Sequence, residues 1–152
     1  MAKSVKLNGV LFPGAARGDA YLKIYYDRIH GLVGFAPFLG TLNLKLEKKI
    51  DFELFETKRV SHILLDGTEH INVRLAPVTL TTKGQPYKCW AIRQQNGIYG
   101  KDVIEIIAKD NLREKFGLKD GDIIELELEY AIQKKRPGRI RRVFRREGRI
   151  MR

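Results

Sequence analysis

The chain has 152 residues, is 43% apolar and 31% charged, and carries 29 lysines and arginines against 18 acids, a formal net charge of +11. That length suits one compact domain, and the apolar share is enough for a core and too large for a disordered segment. No apolar run approaches the roughly 18 residues that cross a bilayer, the opening MAKSVKLNGVLFPG lacks a signal peptide's apolar region and cleavage site, and a single cysteine, Cys89, excludes internal disulfides and Cys-x-x-Cys sites. A cytoplasmic protein with no membrane contact is expected.

Residues 5–11 alternate with period two and predict a first strand. The loop that follows, Phe12-Pro13-Gly14-Ala15-Ala16-Arg17-Gly18-Asp19-Ala20, has small residues that let backbone approach a ligand, N–H groups that could cradle phosphates, and Arg17 as a charged donor. It lacks the Gly-Lys-Ser/Thr ending of a Walker A loop, and a plain hairpin loop is the simpler competing reading. Further strands are predicted at 21–26 and 41–46. In the second, Leu42, Leu44 and Leu46 take one face, while Thr41 and Asn43 project from the other about 7 Å apart along the backbone. A hydroxyl and an amide carbonyl are hard, uncharged oxygen ligands, able to hold Mg²⁺ where a nucleotide's phosphates complete the shell; an ordinary half-exposed strand fits the same pattern.

Strands at 60–65 and 70–81 flank an Asp66-Gly67 hairpin signal, and Lys83-Gly84-Gln85-Pro86 marks a second hairpin before a strand at 87–93. Cys89 and Trp90 in that strand read as core residues, and His30, His62 and His70, without metal-ligand spacing, read as surface or turn residues. In the strand at 103–108, Glu105 interrupts an apolar run; it either forms the polar face of a barrel strand or lines a pocket. Asp110 or Asn111 can cap a helical turn over 112–116, which Gly117 stops in a left-handed conformation. A last strand follows at 123–130. Many short strands with few helix signals predict a mainly β fold: a small single-domain β-barrel of about six core strands, with one or two short helices and a basic C-terminal extension.

The charge is concentrated at the end of the chain. Residues 134–152 hold ten basic residues and one acid, Glu147, a net of +9, leaving +2 for residues 1–133. The expected division is therefore a barrel domain over 1–133 and an arginine-rich tail over 134–152. After Pro137-Gly138, Ile140, Val143, Phe144 and Met151 fall near one face of a candidate helix surrounded by arginines. Three readings stay open for the tail: a solvated extension, a contact for a phosphate-rich partner such as RNA, or a contact for a membrane surface or acidic protein.

Three segments, GFAPFLGTLNLKL (34–46), VIEIIAKDNLREKFGLKDGDIIEL (103–126) and the 14–21 loop, together resemble the archaeal CTP-dependent riboflavin kinases over most of residues 5–130. The resemblance implies a β-barrel of the cradle-loop type that transfers the γ-phosphoryl group of CTP to the 5′-hydroxyl of riboflavin, giving FMN and CDP with the help of Mg²⁺. It implies that Ala15, Ala16, Arg17, Gly18, Asp19 and Ala20 wrap the nucleotide, and that Asp110, Asn111, Leu112 and Arg113 complete its pocket. Thr41 and Asn43 would ligate Mg²⁺, and Glu105 would contact the flavin and is the one catalytic candidate. The sequence departs from the family pattern at Ala16, where a glycine is usual, and around Asn96-Gly97-Ile98-Tyr99, where a threonine usually touches the flavin; Gly97 would contribute through its backbone. CTP and riboflavin are the expected small-molecule partners of a monomer, and the tail offers a polyanion contact. The alternative is a non-catalytic β-barrel binding module that holds RNA or DNA through its basic tail.

Overall fold

The structure, a computed structural model, describes residues 3–14, 26–38, 41–65, 69–94 and 99–131, without the side chains of 61–65 and 69–71. Seven strands lie within them: β1 (Ser4–Phe12), β2 (Leu42–Leu46), β3 (Lys58–Leu65), β4 (Glu69–Thr82), β5 (Gln85–Gln94), β6 (Val103–Ile107) and β7 (Ile123–Glu129). With them stand helices α1 (Tyr26–Val33) and α2 (Leu112–Phe116) and a 3-10 turn at Phe52–Leu54. All strand pairs are antiparallel. The order β4-β5-β6-β2-β1-β7, with β7 returning to β4, closes a six-stranded barrel, as the sequence predicts.

β4 is long because it serves two neighbours on one edge. Its first half pairs with β3 as far as Leu75↔Lys58, and its second half pairs with β7 from Val78↔Leu128 onward. Pro77 stands between the two, so a residue with no N–H to donate occupies the place where β4 changes partner. The β4–β5 connection is a two-residue turn in which Lys83 and Gly84 both have positive φ, 53° and 77°, the backbone that matches the twist of a tight hairpin. The Asp66-Gly67 signal lies outside the described residues.

Period-two alternation fills the barrel. Leu11, Leu44, Ile106, Ile124, Leu126 and Leu128 are all essentially inaccessible to solvent. Among the described residues a second cluster lies on the outside of the wall, where Ile29 of α1 packs with Val60, Val73, Leu75, Ile92 and Ile107. Cys89 is buried inside the barrel, and burial pushes its thiol pKa up to about 12, so it behaves as a small apolar residue. Trp90 is half-buried against the outer cluster. His30 is exposed on α1, and the side chains of His62 and His70 lie outside the described residues.

The strand predicted at 21–26 needs correcting at its end. Residues 21–25 lie outside the described residues, but Tyr26 opens α1, which the sequence reading misses. The helix is only eight residues long and contains Gly31 and several weak helix formers, so propensity does not announce it. What holds it is tertiary: Tyr26, Ile29, Leu32 and Val33 share one face and pack on the outer cluster. α2 follows the expectation closely. The Asn111 side chain accepts the backbone N–H of Glu114 as N-cap, and Gly117 ends the helix at φ +61°. The tail beyond residue 131 lies outside the described residues, and no helix among those described is long and apolar enough to cross a membrane.

Leu126→Ala should lower unfolding free energy by about 2–5 kcal/mol, through lost transfer energy and a residual cavity. Ile123→Ala on the same strand, with Ile123 67% exposed, should change it by less than about 0.5 kcal/mol. Urea unfolding of both variants checks the inside-outside assignment of β7.

Candidate functional site

Strand register builds the site. Phe12 of β1 lies opposite Asn43 of β2, Asn43 opposite Glu105 of β6, and Glu105 opposite Ile92 of β5. Register partners share a sheet face, and the neighbouring pairs Leu42↔Ile106 and Leu44↔Ile104 point into the barrel. The row Phe12–Asn43–Glu105–Ile92 therefore runs across the outside of the wall. Asn43 is nevertheless buried, with 6% of its surface exposed.

Three oxygen-bearing side chains meet in this row. The Thr41 hydroxyl lies 3.4 Å from Asn43 Oδ1 and 3.5 Å from Glu105 Oε2, so its one proton has two acceptors. Asn43 Nδ2 donates to the Pro13 carbonyl at 3.3 Å, which fixes the amide with Oδ1 toward Thr41. Two oxygens 3.4 Å apart are close to the ~3 Å edge of an octahedron with bonds of about 2.1 Å, the shell Mg²⁺ requires. Among the described residues no group of three or more His, Cys, Asp or Glu side chains is arranged to hold a metal. Thr41 and Asn43 thus fit Mg²⁺ as two uncharged ligands of a shell that needs anionic oxygens from elsewhere. Burial raises the Glu105 pKa above the usual carboxylate value, while the Thr41 hydrogen bond and the charge of Arg93 pull it down.

Beside Thr41 lies a pocket of about 150 Å³ lined by Phe38, Thr41, Leu42, Ile106, Ala108 and the run Asp110, Asn111, Leu112 and Arg113. The β6–α2 connection delivers these four together. Asp110 is pinned from β5, since Tyr87 OH donates to its Oδ2 at 2.7 Å; burial first, then this bond, keeps the Tyr87 phenol protonated well above its ordinary range. Arg113 Nη2 donates to Asp120 at 2.7 Å. Gly14, at φ +73°, closes the other side of the row: a Cβ there would lie 2.4 Å from Asn43 Nδ2 and 2.8 Å from the Tyr99 hydroxyl.

The family model CTP-dep_RFKase, described as "Domain of unknown function DUF120", matches residues 11–128, or 118 of the 152 residues. The chain belongs to the CTP-dependent riboflavin kinase family. Among curated relatives, a riboflavin kinase of Methanococcus vannielii is 30% identical over 125 residues, covering 80% of this chain and 96% of the relative. Riboflavin kinases of Methanospirillum hungatei and Archaeoglobus fulgidus are 30% and 29% identical over 83% and 82% of this chain. Of those two, the chain spans little more than half the length, 58% and 55%.

Within this riboflavin kinase family chain, the structure brings Thr41, Asn43 and Glu105 into contact and sets Asp110, Asn111, Leu112 and Arg113 around the adjoining pocket. Leu112 is largely core, and the Asn111 carbonyl oxygen is engaged as a helix cap. Ala15, Ala16, Arg17, Gly18, Asp19, Ala20 and Gly97 lie outside the described residues. The sequence reading passes over Tyr87 and Arg93. Both stand in a strand whose alternation announces only its apolar partners, and their roles come from hydrogen bonds to Asp110 for Tyr87 and to the backbone of 99–103 for Arg93.

Gly14→Ala should leave the barrel folded, with a melting temperature within a few degrees of the parent, but displace the Asn43 amide. The expected sign is a shift of the Asn43 side-chain NH₂ resonances, with those of other Asn and Gln side chains unmoved.

Proposed function

We propose that this chain transfers the γ-phosphoryl group of CTP to the 5′-hydroxyl of riboflavin, giving FMN and CDP. The observation that carries the reading is the meeting of Thr41, Asn43 and Glu105 at the rim of the pocket formed by Asp110, Asn111, Leu112 and Arg113. It sets oxygen ligands beside an opening lined by polar and charged groups, with a carboxylate beyond them. The riboflavin hydroxyl oxygen forms the new bond to the γ-phosphorus as the bond to the β–γ bridging oxygen breaks, and the hydroxyl proton is released. Phosphoryl transfer depends chiefly on positioning and charge stabilisation. Thr41 and Asn43 would hold Mg²⁺, which supplies charge neutralisation to the phosphates when bound. Asp110 to Arg113, with residues 15–20, hold the nucleotide. Glu105 orients the flavin, and its partial burial strengthens any hydrogen bond it accepts.

FMN formation should be selective for CTP when CTP, ATP, GTP and UTP are offered separately with riboflavin and Mg²⁺; no turnover with any of them by folded protein would overturn the reading. Asn43→Ala should lower turnover by ~10²-fold or more while leaving the fold intact, and unchanged Mg²⁺ dependence would remove the metal assignment. Glu105→Gln should raise the KM for riboflavin roughly tenfold and that for CTP far less.

The tail over 134–152 supports a second role on the same chain, contact with a polyanion such as RNA, carried by its net charge of +9. Replacing Arg139, Arg141, Arg142 and Arg145 with Gln should flatten the slope of log affinity for RNA against log salt by about 0.7–0.9 for each phosphate that is no longer neutralised, and leave FMN formation unaffected. An unchanged salt slope would exclude the tail.

A further inference from the structure

The β5–β6 ladder stops early. It runs from Trp90↔Ile107 to Ile92↔Glu105 and no further, whereas on its other edge β6 stays paired with β2 as far as Lys45↔Val103. Beyond Glu105, no backbone pair among the described residues continues the ladder on the β5 side. Arg93, the residue after the last pair, takes that place. Its Nη1 donates to the carbonyls of Gly100 at 3.1 Å and Val103 at 3.3 Å, and its Nη2 donates to the carbonyl of Tyr99 at 3.1 Å. A rigid planar fork can serve three carbonyls at once from two nitrogens; an ammonium, whose three donors leave a single nitrogen, cannot match that spread.

The segment held in this way carries two parts of the site. Val103 lies two residues from Glu105, on the same face of β6. The Tyr99 ring stands edge-on to Phe12 with centroids 5.8 Å apart, and its hydroxyl is one of the atoms against which a side chain at Gly14 would collide. The guanidinium thus ties the wall that bears Glu105 to the turn that abuts Gly14. We infer that Arg93 is a positioning residue: by gripping the carbonyls of Tyr99, Gly100 and Val103 it sets the places of Glu105 and Tyr99 without itself touching substrate. This inference rests on the riboflavin kinase reading for its effect on the reaction, though not for its effect on the 99–105 segment.

The test compares the full-length parent, Arg93→Lys and Arg93→Met in two measurements. Amide hydrogen exchange without ligands should show faster exchange over 99–105 in both variants, with β1, β4 and β7 as protected as in the parent. In riboflavin binding followed by flavin fluorescence quenching, the Kd should rise about tenfold or more in both variants, and Lys should restore little although it keeps the charge. Parent-like exchange over 99–105 in both variants overturns the inference. So does a parent-like riboflavin Kd in Arg93→Lys, which would make charge rather than the fork the operative feature. If Arg93→Met fails to fold, Arg93→Lys alone decides on the same criteria. A parent protein that binds no riboflavin and makes no FMN would sink the kinase reading, and exchange over 99–105 would still decide on Arg93.

Discussion

Closure of the barrel hangs on four residue pairs between β4 and β7, from Val78↔Leu128 to Thr81↔Glu125. Without them the strands form an open sheet with two exposed edges, and inward-pointing leucines and isoleucines lose the neighbours that face them across the barrel. With them, each inner residue has neighbours across the barrel, and every strand's register is locked by a buried face that a one-residue slip would turn outward. The same locking places one residue of each of β1, β2, β6 and β5 in a single row on the outer surface. The site is therefore a by-product of core packing: what keeps Leu44 inside keeps Asn43 and Glu105 opposite one another outside.

The chemistry of that row follows from its polarity. Thr41 and Asn43 present uncharged oxygens, and the one carboxylate beside them is partly buried and shares a single hydroxyl proton with an amide oxygen. A site of this kind does not concentrate negative charge on its own. It leaves room for the charge to arrive with a ligand, which suits a reaction whose substrate is already polyanionic. The adjoining pocket follows the same logic. Asp110 is tied by Tyr87, and Arg113 is tied by Asp120, so each pocket-lining ion is held by a neighbour from another element or turn. Such ties reduce the entropy lost when a ligand is seated.

Much of this is legible in the sequence because local signals and long-range packing agree. Alternation in 42–46 and 123–129, Asn111 as a cap and Gly117 as a stop are each written in a few adjacent residues and each appear in the fold. The proximity of Thr41 to Asn43 can be read from spacing alone; their meeting with Glu105 cannot, because nothing in either segment states which strand pairs with which. α1 is invisible for a related reason: its stability comes from the wall it covers rather than from its own residues. Arg93 reads as an ordinary strand end, since the carbonyls that it serves lie in the turn before β6 and at the start of that strand, six to ten residues further on.

The wall formed by β4, β5 and β6 has apolar residues on both faces. Ala91 and Ile106 belong to the inner cluster, while Ile92 and Ile107, one position along, belong to the outer one beneath α1. Glu105 borders that outer side, opposite Ile92, so the carboxylate sits at the edge of an apolar surface, and the packing that seats α1 on the wall also keeps water from one flank of the charge.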